Sequence, residues 1–96
     1  MNYTVHHEPD SHRFVASVEG EEAYVVYEPH GEDRWVMAHT YTPTALRGRG
    51  IAAEVVRTAL EIARAEGKSV VPACWYVEGF IHRHPEFQDL VADSDS

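Results

Sequence analysis

The sequence predicts an α+β fold of the broad α/β class: an antiparallel β-meander, one long helix after its fourth strand, a short buried strand and a short C-terminal helix. Three observations predict it. Four segments rich in β-branched and aromatic residues occupy the first 41 positions, separated by Pro, Gly and Asp clusters. From Gly50 the spacing of apolar residues changes from two to that of a helix. Finally, 96 residues with 44% hydrophobic and 10% aromatic side chains supply one compact core but not two, which excludes both a disordered chain and a multidomain one. The expected organisation is one domain over residues 1–91 and a frayed polar tail over 92–96.

Each element has its own signal. Tyr3 to Glu8 reads as a first strand, and Pro9-Asp10-Ser11 as the turn that ends it. Phe14 to Val18 alternates apolar and polar side chains, and Gly20 with Glu21 and Glu22 makes the next turn. Ala23 to Glu28 forms the third strand, closed by Pro29-His30-Gly31, and Arg34 to Tyr41 the fourth. Along the fourth, a period of two puts Trp35, Met37, His39 and Tyr41 on one face and Val36, Ala38 and Thr40 on the other. Both faces read as covered, so the strand is expected to be central. Ala52, Val55, Val56, Ala59, Leu60 and Ala63 then form the apolar stripe of an amphipathic helix, with Arg64 in its last turn and Gly67 as its C-terminal cap. Ser69 to Val71 is a short buried strand ended by Pro72, and a second helix runs from about Trp75 to His84, where Pro85 stops it.

Charge and composition narrow the function. Eight Lys and Arg against sixteen Asp and Glu give a formal charge of -8, which disfavours nucleic acid and anionic membrane as partners. The charge is uneven: residues 1–46 sum to -6, 47–68 to +2 and 69–96 to -4. A local basic spot on an acidic protein suits a small phosphorylated ligand. No apolar run approaches the ~18 residues of a membrane span, and the opening residues lack the basic-then-apolar order of a secretory signal. Cys74 is the one cysteine, so no internal disulfide forms. These features together predict a soluble protein of the reducing cytoplasm.

The positive spot is the run Leu46-Arg47-Gly48-Arg49-Gly50-Ile51-Ala52, between a strand and the strong helix. A helix start presents unpaired backbone N–H groups and a positive dipole end, glycines let a ligand approach the backbone, and arginines add charge. The physics is that of a pyrophosphate-binding turn. A P-loop is disfavoured because Ile51-Ala52 stand where Lys-Ser or Lys-Thr belongs. Gly48-x-Gly50-x-x-Ala53 matches a dinucleotide fingerprint loosely, yet Ser69 to Pro72 ends without the acidic residue that would hold a ribose. A tight strand-to-helix turn with solvated arginines remains the bland alternative.

Arg47-x-x-Gly50-x-Ala52, at the start of an amphipathic helix and directly after a central strand, resembles the acetyl-coenzyme A pyrophosphate motif Q/R-x-x-G-x-G/A of the GNAT superfamily of acetyltransferases. Three further runs resemble the very short, single-domain N-acetyltransferase-like branch: His39-Thr40, Val71-Pro72-Ala73-Cys74, and Tyr76-Val77 leading into His84-Pro85-Glu86-Phe87-Gln88-Asp89-Leu90-Val91. The resemblance implies a meander passing into two central strands that splay apart, with coenzyme A in the opening. It further implies that Arg47, Gly48, Arg49, Gly50, Ile51 and Ala52 take the pyrophosphate, mainly on backbone amides, while the strand edge at Ala38, Thr40 and Tyr41 pairs with pantetheine amides. The chain lacks the helices that usually follow the first strand and the closing C-terminal strands, which normally build the acceptor site.

Three residues are candidates for chemistry. His39, in the strand beside the loop, has the type and position of a general base, or of a core histidine bonded to backbone. Cys74 precedes a helix start, whose dipole would lower a thiol pKa from about 8.5, and is otherwise a small packing residue. By resemblance, Tyr76 would protonate the departing coenzyme A thiolate, with core packing as its alternative role. Trp35 and Trp75 read as core or pocket wall. Seven histidines invite a metal reading, but His82 and His84 at i and i+2 of a helix diverge, and no metal site is expected. The reading is an N-acetyltransferase that moves acetyl from acetyl-coenzyme A to an unidentified amine on a small molecule or protein, through Cys74 or directly, in a monomer or weak homodimer. Its alternative is a coenzyme A binding module without turnover.

Overall fold

A computed structural model describes residues 3–92. Its elements run β1 (Val5–Glu8), β2 (Arg13–Val18), β3 (Glu21–His30), β4 (Arg34–Tyr41), α1 (Ile51–Ala65), β5 (Ser69–Pro72) and α2 (Trp75–Arg83), with 3-10 turns at Pro9–Ser11, Thr44–Leu46 and Pro85–Leu90. The five strands form one sheet in sequence order. β1 to β4 are antiparallel, joined by short turns, and β5 lies parallel to β4 because α1 carries the chain back across the sheet.

Both helices pack on the same face. Val55, Val56, Ala59, Leu60 and Ala63 of α1 and Val77, Phe80 and Ile81 of α2 share one core with Phe14, Ala16, Val25, Tyr27, Trp35 and Met37 of the sheet. Arg13, Tyr24, Val26 and Val36 alternate with those residues and are partly exposed on the sheet's other face. The last 3-10 turn is tied to α1 by Arg64, which donates to both carboxylate oxygens of Asp89 at 2.7 and 3.0 Å and to the Glu86 carbonyl at 2.7 Å.

Several expected boundaries move. β1 begins at Val5 rather than Tyr3. β3 runs on through Pro29 and His30, which pair with Trp35 and Arg34, where the sequence suggests a turn. The Tyr27 N–H points to the His12 carbonyl, away from β4. Pro29 shares that orientation, so its missing N–H faces the side where β2 has already ended. The β2–β3 turn is Glu19-Gly20, with φ of 55° and 82°, a two-residue hairpin in which both residues take left-handed dihedrals. α2 stops at Arg83, one residue early, because Pro85 disfavours helical dihedrals at His84. Ala92 donates to the Val70 carbonyl at 2.8 Å, and the rest of the expected frayed tail, residues 93–96, lies outside the described residues.

One correction bears on the site. Val26 pairs with His39 but Tyr27 pairs with Met37, so Ala38 is an extra residue in β4, a β-bulge. The bulge reverses the alternation beyond it. Trp35 and Met37 face the helices, and so does Thr40, paired with Val25, whereas His39 and Tyr41 face the open side with Val26 and Tyr24. The single face proposed for Trp35, Met37, His39 and Tyr41 therefore breaks at Ala38.

β4 and β5 pair only from Arg34 to Met37, after which they part. A hydrogen bond from the Cys74 N–H to the Met37 carbonyl, 3.0 Å, marks the point of divergence. Beyond it, the edge of β4 from Ala38 to Tyr41 has β3 on one side and, among the described residues, no strand on the other.

Candidate active site

The loop between β4 and α1 is shaped by two glycines with left-handed dihedrals, Gly48 (φ 78°) and Gly50 (φ 76°). Gly50 is the N-cap of α1, and no side chain caps the helix. The first intrahelical bond is Glu54 N–H to the Gly50 carbonyl, 3.2 Å, so the N–H groups of Ile51, Ala52 and Ala53 have no helical partner. These groups and the dipole make an anion site out of backbone alone. Arg47 is exposed and its Nε donates to the Thr42 carbonyl at 3.0 Å, folding the loop back on the end of β4. Arg49 points elsewhere: it forms a two-pronged contact, 3.0 and 3.2 Å, with the Glu19 carboxylate on the β2–β3 turn. That contact lowers the Glu19 pKa through the hydrogen bond and the charge of Arg49.

An open cavity of about 600 Å³ lies between this loop, the free edge of β4 and the start of α2. Thr40, Tyr41, Arg47, Gly48, Gly50, Ile51, Ala52 and Tyr76, all sequence candidates, line it. So do Thr42, Leu46 and Trp75, of which only Trp75 was singled out as a possible pocket wall. Leu46 is a buried residue of the 3-10 turn Thr44–Leu46, an element without a distinct sequence signal, and Thr42 enters because the chain turns there. Ala38, His39, Arg49 and Cys74 stand outside the cavity wall.

Cys74 is the N-cap of α2 and 9% exposed. Its Sγ lies 3.4 Å from the Thr40 hydroxyl, so it sits directly behind a residue of the cavity wall. Burial raises the thiol pKa, but the Thr40 hydroxyl and the backbone amides of Tyr76, Val77 and Thr40 outweigh it, and the net shift is downward. The sulfur forms no capping hydrogen bond, so the helix-start amides act on it as oriented dipoles. Tyr76 is half-buried with its pKa raised by burial, against a smaller opposing effect of Arg83; its phenol keeps its proton at neutral pH.

His39 is exposed on the open face, 6.3 Å from Tyr24 between ring centres. Tyr41 lies beside the same tyrosine, 5.5 Å away. The free edge of β4 thus has Thr40 and Cys74 on its helix side and His39 and Tyr41 on the other. The remaining histidines do not converge: among the described residues no group of three or more His, Cys, Asp or Glu side chains is placed to hold a metal ion. His84 is stacked on Phe80 at 4.2 Å, and His7 on Phe14 at 4.2 Å. Among the described residues no helix is long and apolar enough to cross a membrane.

Comparison with known proteins gives the family and the fold. Residues 13–90 match the sequence profile of the GCN5-related N-acetyl-transferase family. The chain belongs to that family. It is 31% identical over 83 residues to the bovine protein NATD1, covering 84% of this chain and 74% of the relative. The human NATD1 protein is 30% identical over the same length, and the zebrafish protein 30% identical over 88 residues, 90% of this chain and 80% of the relative. A GCN5-like protein from Staphylococcus aureus, solved by NMR, superposes with a TM-score of 0.69 over 95% of this chain and 89% of its own, at 15% identity. The fold is therefore that of the family: a mixed sheet with splayed strands and the long helix behind the loop.

Proposed function

We propose that the protein is an acetyl-coenzyme A dependent N-acetyltransferase, one minimal domain over residues 1–91, working on an amine in the cytoplasm. One observation carries the reading: a single cavity is bounded by an uncapped, basic helix start at one end and by the unpaired edge of a splayed strand along its side. The residues present fit the coenzyme. The N–H groups of Ile51, Ala52 and Ala53, with Arg47 beside them, suit a pyrophosphate, and the edge of β4 from Ala38 to Tyr41 offers backbone groups to the pantetheine amides. Arg49 contributes by holding the loop against Glu19.

Cys74, whose Sγ lies behind Thr40 of that edge, is the nucleophile in this reading. Its thiolate would attack the thioester carbonyl, the bond from that carbon to the coenzyme sulfur would break, and Tyr76 would give the departing sulfur a proton, which it would recover from the amine nitrogen when the amide forms. His39, on the other side of the edge, removes a proton from the acceptor ammonium, and the free amine then takes the acetyl group from Cys74 or directly from the thioester. The acceptor, a small molecule or protein, reaches the edge from the face that carries no helix. Neither nucleic acid nor membrane enters the reading, and the protein acts as a monomer or weak homodimer.

The test is intact mass spectrometry after exposure to acetyl-coenzyme A without acceptor. A single acetyl adduct on Cys74 is expected, absent in Cys74→Ser, together with slower alkylation of Cys74 when coenzyme A is bound. Full transfer by Cys74→Ala shows transfer to be direct. A second reading, a coenzyme A binding module, is favoured by the near-burial of the thiol and by the bare face of the sheet. It is the outcome if coenzyme A binds but neither adduct nor acetylated amine forms across a panel of acceptors.

A further inference from the structure

Trp75 is 81% exposed, and it stands at the first position of α2, on the wall of the cavity across from the loop. Its direction is set by the backbone on either side. The Cys74 N–H is bonded to Met37 and the Cys74 carbonyl accepts from Glu78, which anchors the helix start to β4. The edge of Tyr76, 5.9 Å away at 73° between ring planes, then supports the indole from one side. The chain's other tryptophan, Trp35, is 5% exposed and stacked on Tyr27 at 4.3 Å. An indole presents one of the largest apolar surfaces a side chain has, and most of that of Trp75 is exposed.

We infer that Trp75 is a coenzyme-binding residue that closes over the pantetheine arm; the inference rests on the proposed coenzyme site. The cleft walls divide the ligand's chemistry. The helix start and Arg47 suit the charged pyrophosphate, the edge of β4 suits the amides, and the methylenes and gem-dimethyl group of pantetheine need an apolar cover. Trp75 offers a broad aromatic face for it on the α2 side of the opening.

The two tryptophans make the test direct. Trp75→Ala leaves Trp35 alone and serves as the spectral reference, and its substitution at an exposed position leaves the fold intact. Coenzyme A and free pantetheine should each shift the emission of Trp75 to shorter wavelength, while adenosine 3′,5′-bisphosphate should not. By calorimetry, Trp75→Ala should raise the Kd for coenzyme A about tenfold, and Trp75→Phe should recover most of the loss. If the wild type binds coenzyme A but its emission and the Trp75→Ala affinity are unchanged, the role of Trp75 is refuted and the site stands. An equal shift with the bisphosphate also refutes it, because the indole then lies on the nucleotide. Absence of any coenzyme A heat with folded wild type overturns the site and this inference together.

Discussion

Gly50→Val separates backbone recognition from charge recognition at the loop. Gly50 has φ of 76°, and a Cβ built there meets nothing within 4 Å. The substitution therefore creates no clash, and its whole cost is conformational: about 1–2 kcal/mol for a side chain in the left-handed region, at the upper end for a β-branched one. With no neighbour pressing on the loop, relaxation of Gly50 out of that region is the cheap response, and it turns the N–H groups of Ile51 and Ala52 away from the anion. The binding-competent loop then becomes a minor state, and apparent Kd rises by the inverse of its population. At 1.4 kcal/mol per decade, the penalty corresponds to about a five- to thirtyfold weaker Kd for coenzyme A. Arg49→Ala should change Kd far less, since its guanidinium is engaged by Glu19 outside the cavity. Calorimetry on both variants, with urea unfolding in parallel to confirm the folds, measures the contrast. Unaltered affinity in Gly50→Val together with abolished binding in Arg49→Ala would refute the reasoning, because charge and not backbone geometry would then hold the phosphates.

Two further outcomes follow from side chains. His39→Ala should lower turnover with Kd for coenzyme A nearly unchanged; a folded variant with full activity excludes His39 from the mechanism. His7, bonded through Nε2 to the Tyr27 hydroxyl at 2.5 Å, has its pKa lowered by burial, against a smaller opposing effect of Glu66. A base with a depressed folded-state pKa binds fewer protons folded than unfolded, so stability should fall as pH drops from the ordinary histidine pKa toward the folded-state value. Melting curves between pH 5 and 7.5 should show a steeper acid-side loss in the wild type than in His7→Phe, and parallel curves would count against the assignment.

What could be read from the chain alone lies within short windows. The stripe from Ala52 to Ala63, the β4 limits Arg34 and Tyr41, and the loop from Arg47 to Ala52 all lie in segments of fifteen residues or fewer. Hydrophobic period, turn chemistry and helix-start chemistry act over such distances, so these elements and most of the cavity wall were visible in the sequence. Other features depend on residues far apart in the chain. Cys74 meets Thr40 across 34 positions, and Arg49 meets Glu19 across 30. No local signal announced the bulge at Ala38, because it arises from the register with β3; yet it turns Thr40 toward Cys74 and sends His39 and Tyr41 to the other face. The same holds for β5, which stops pairing at Pro72 and leaves the edge of β4 bare beyond Met37. Side-chain period is a property of one strand, whereas register and the ends of pairing belong to two, and they are settled only when the sheet assembles under its helices.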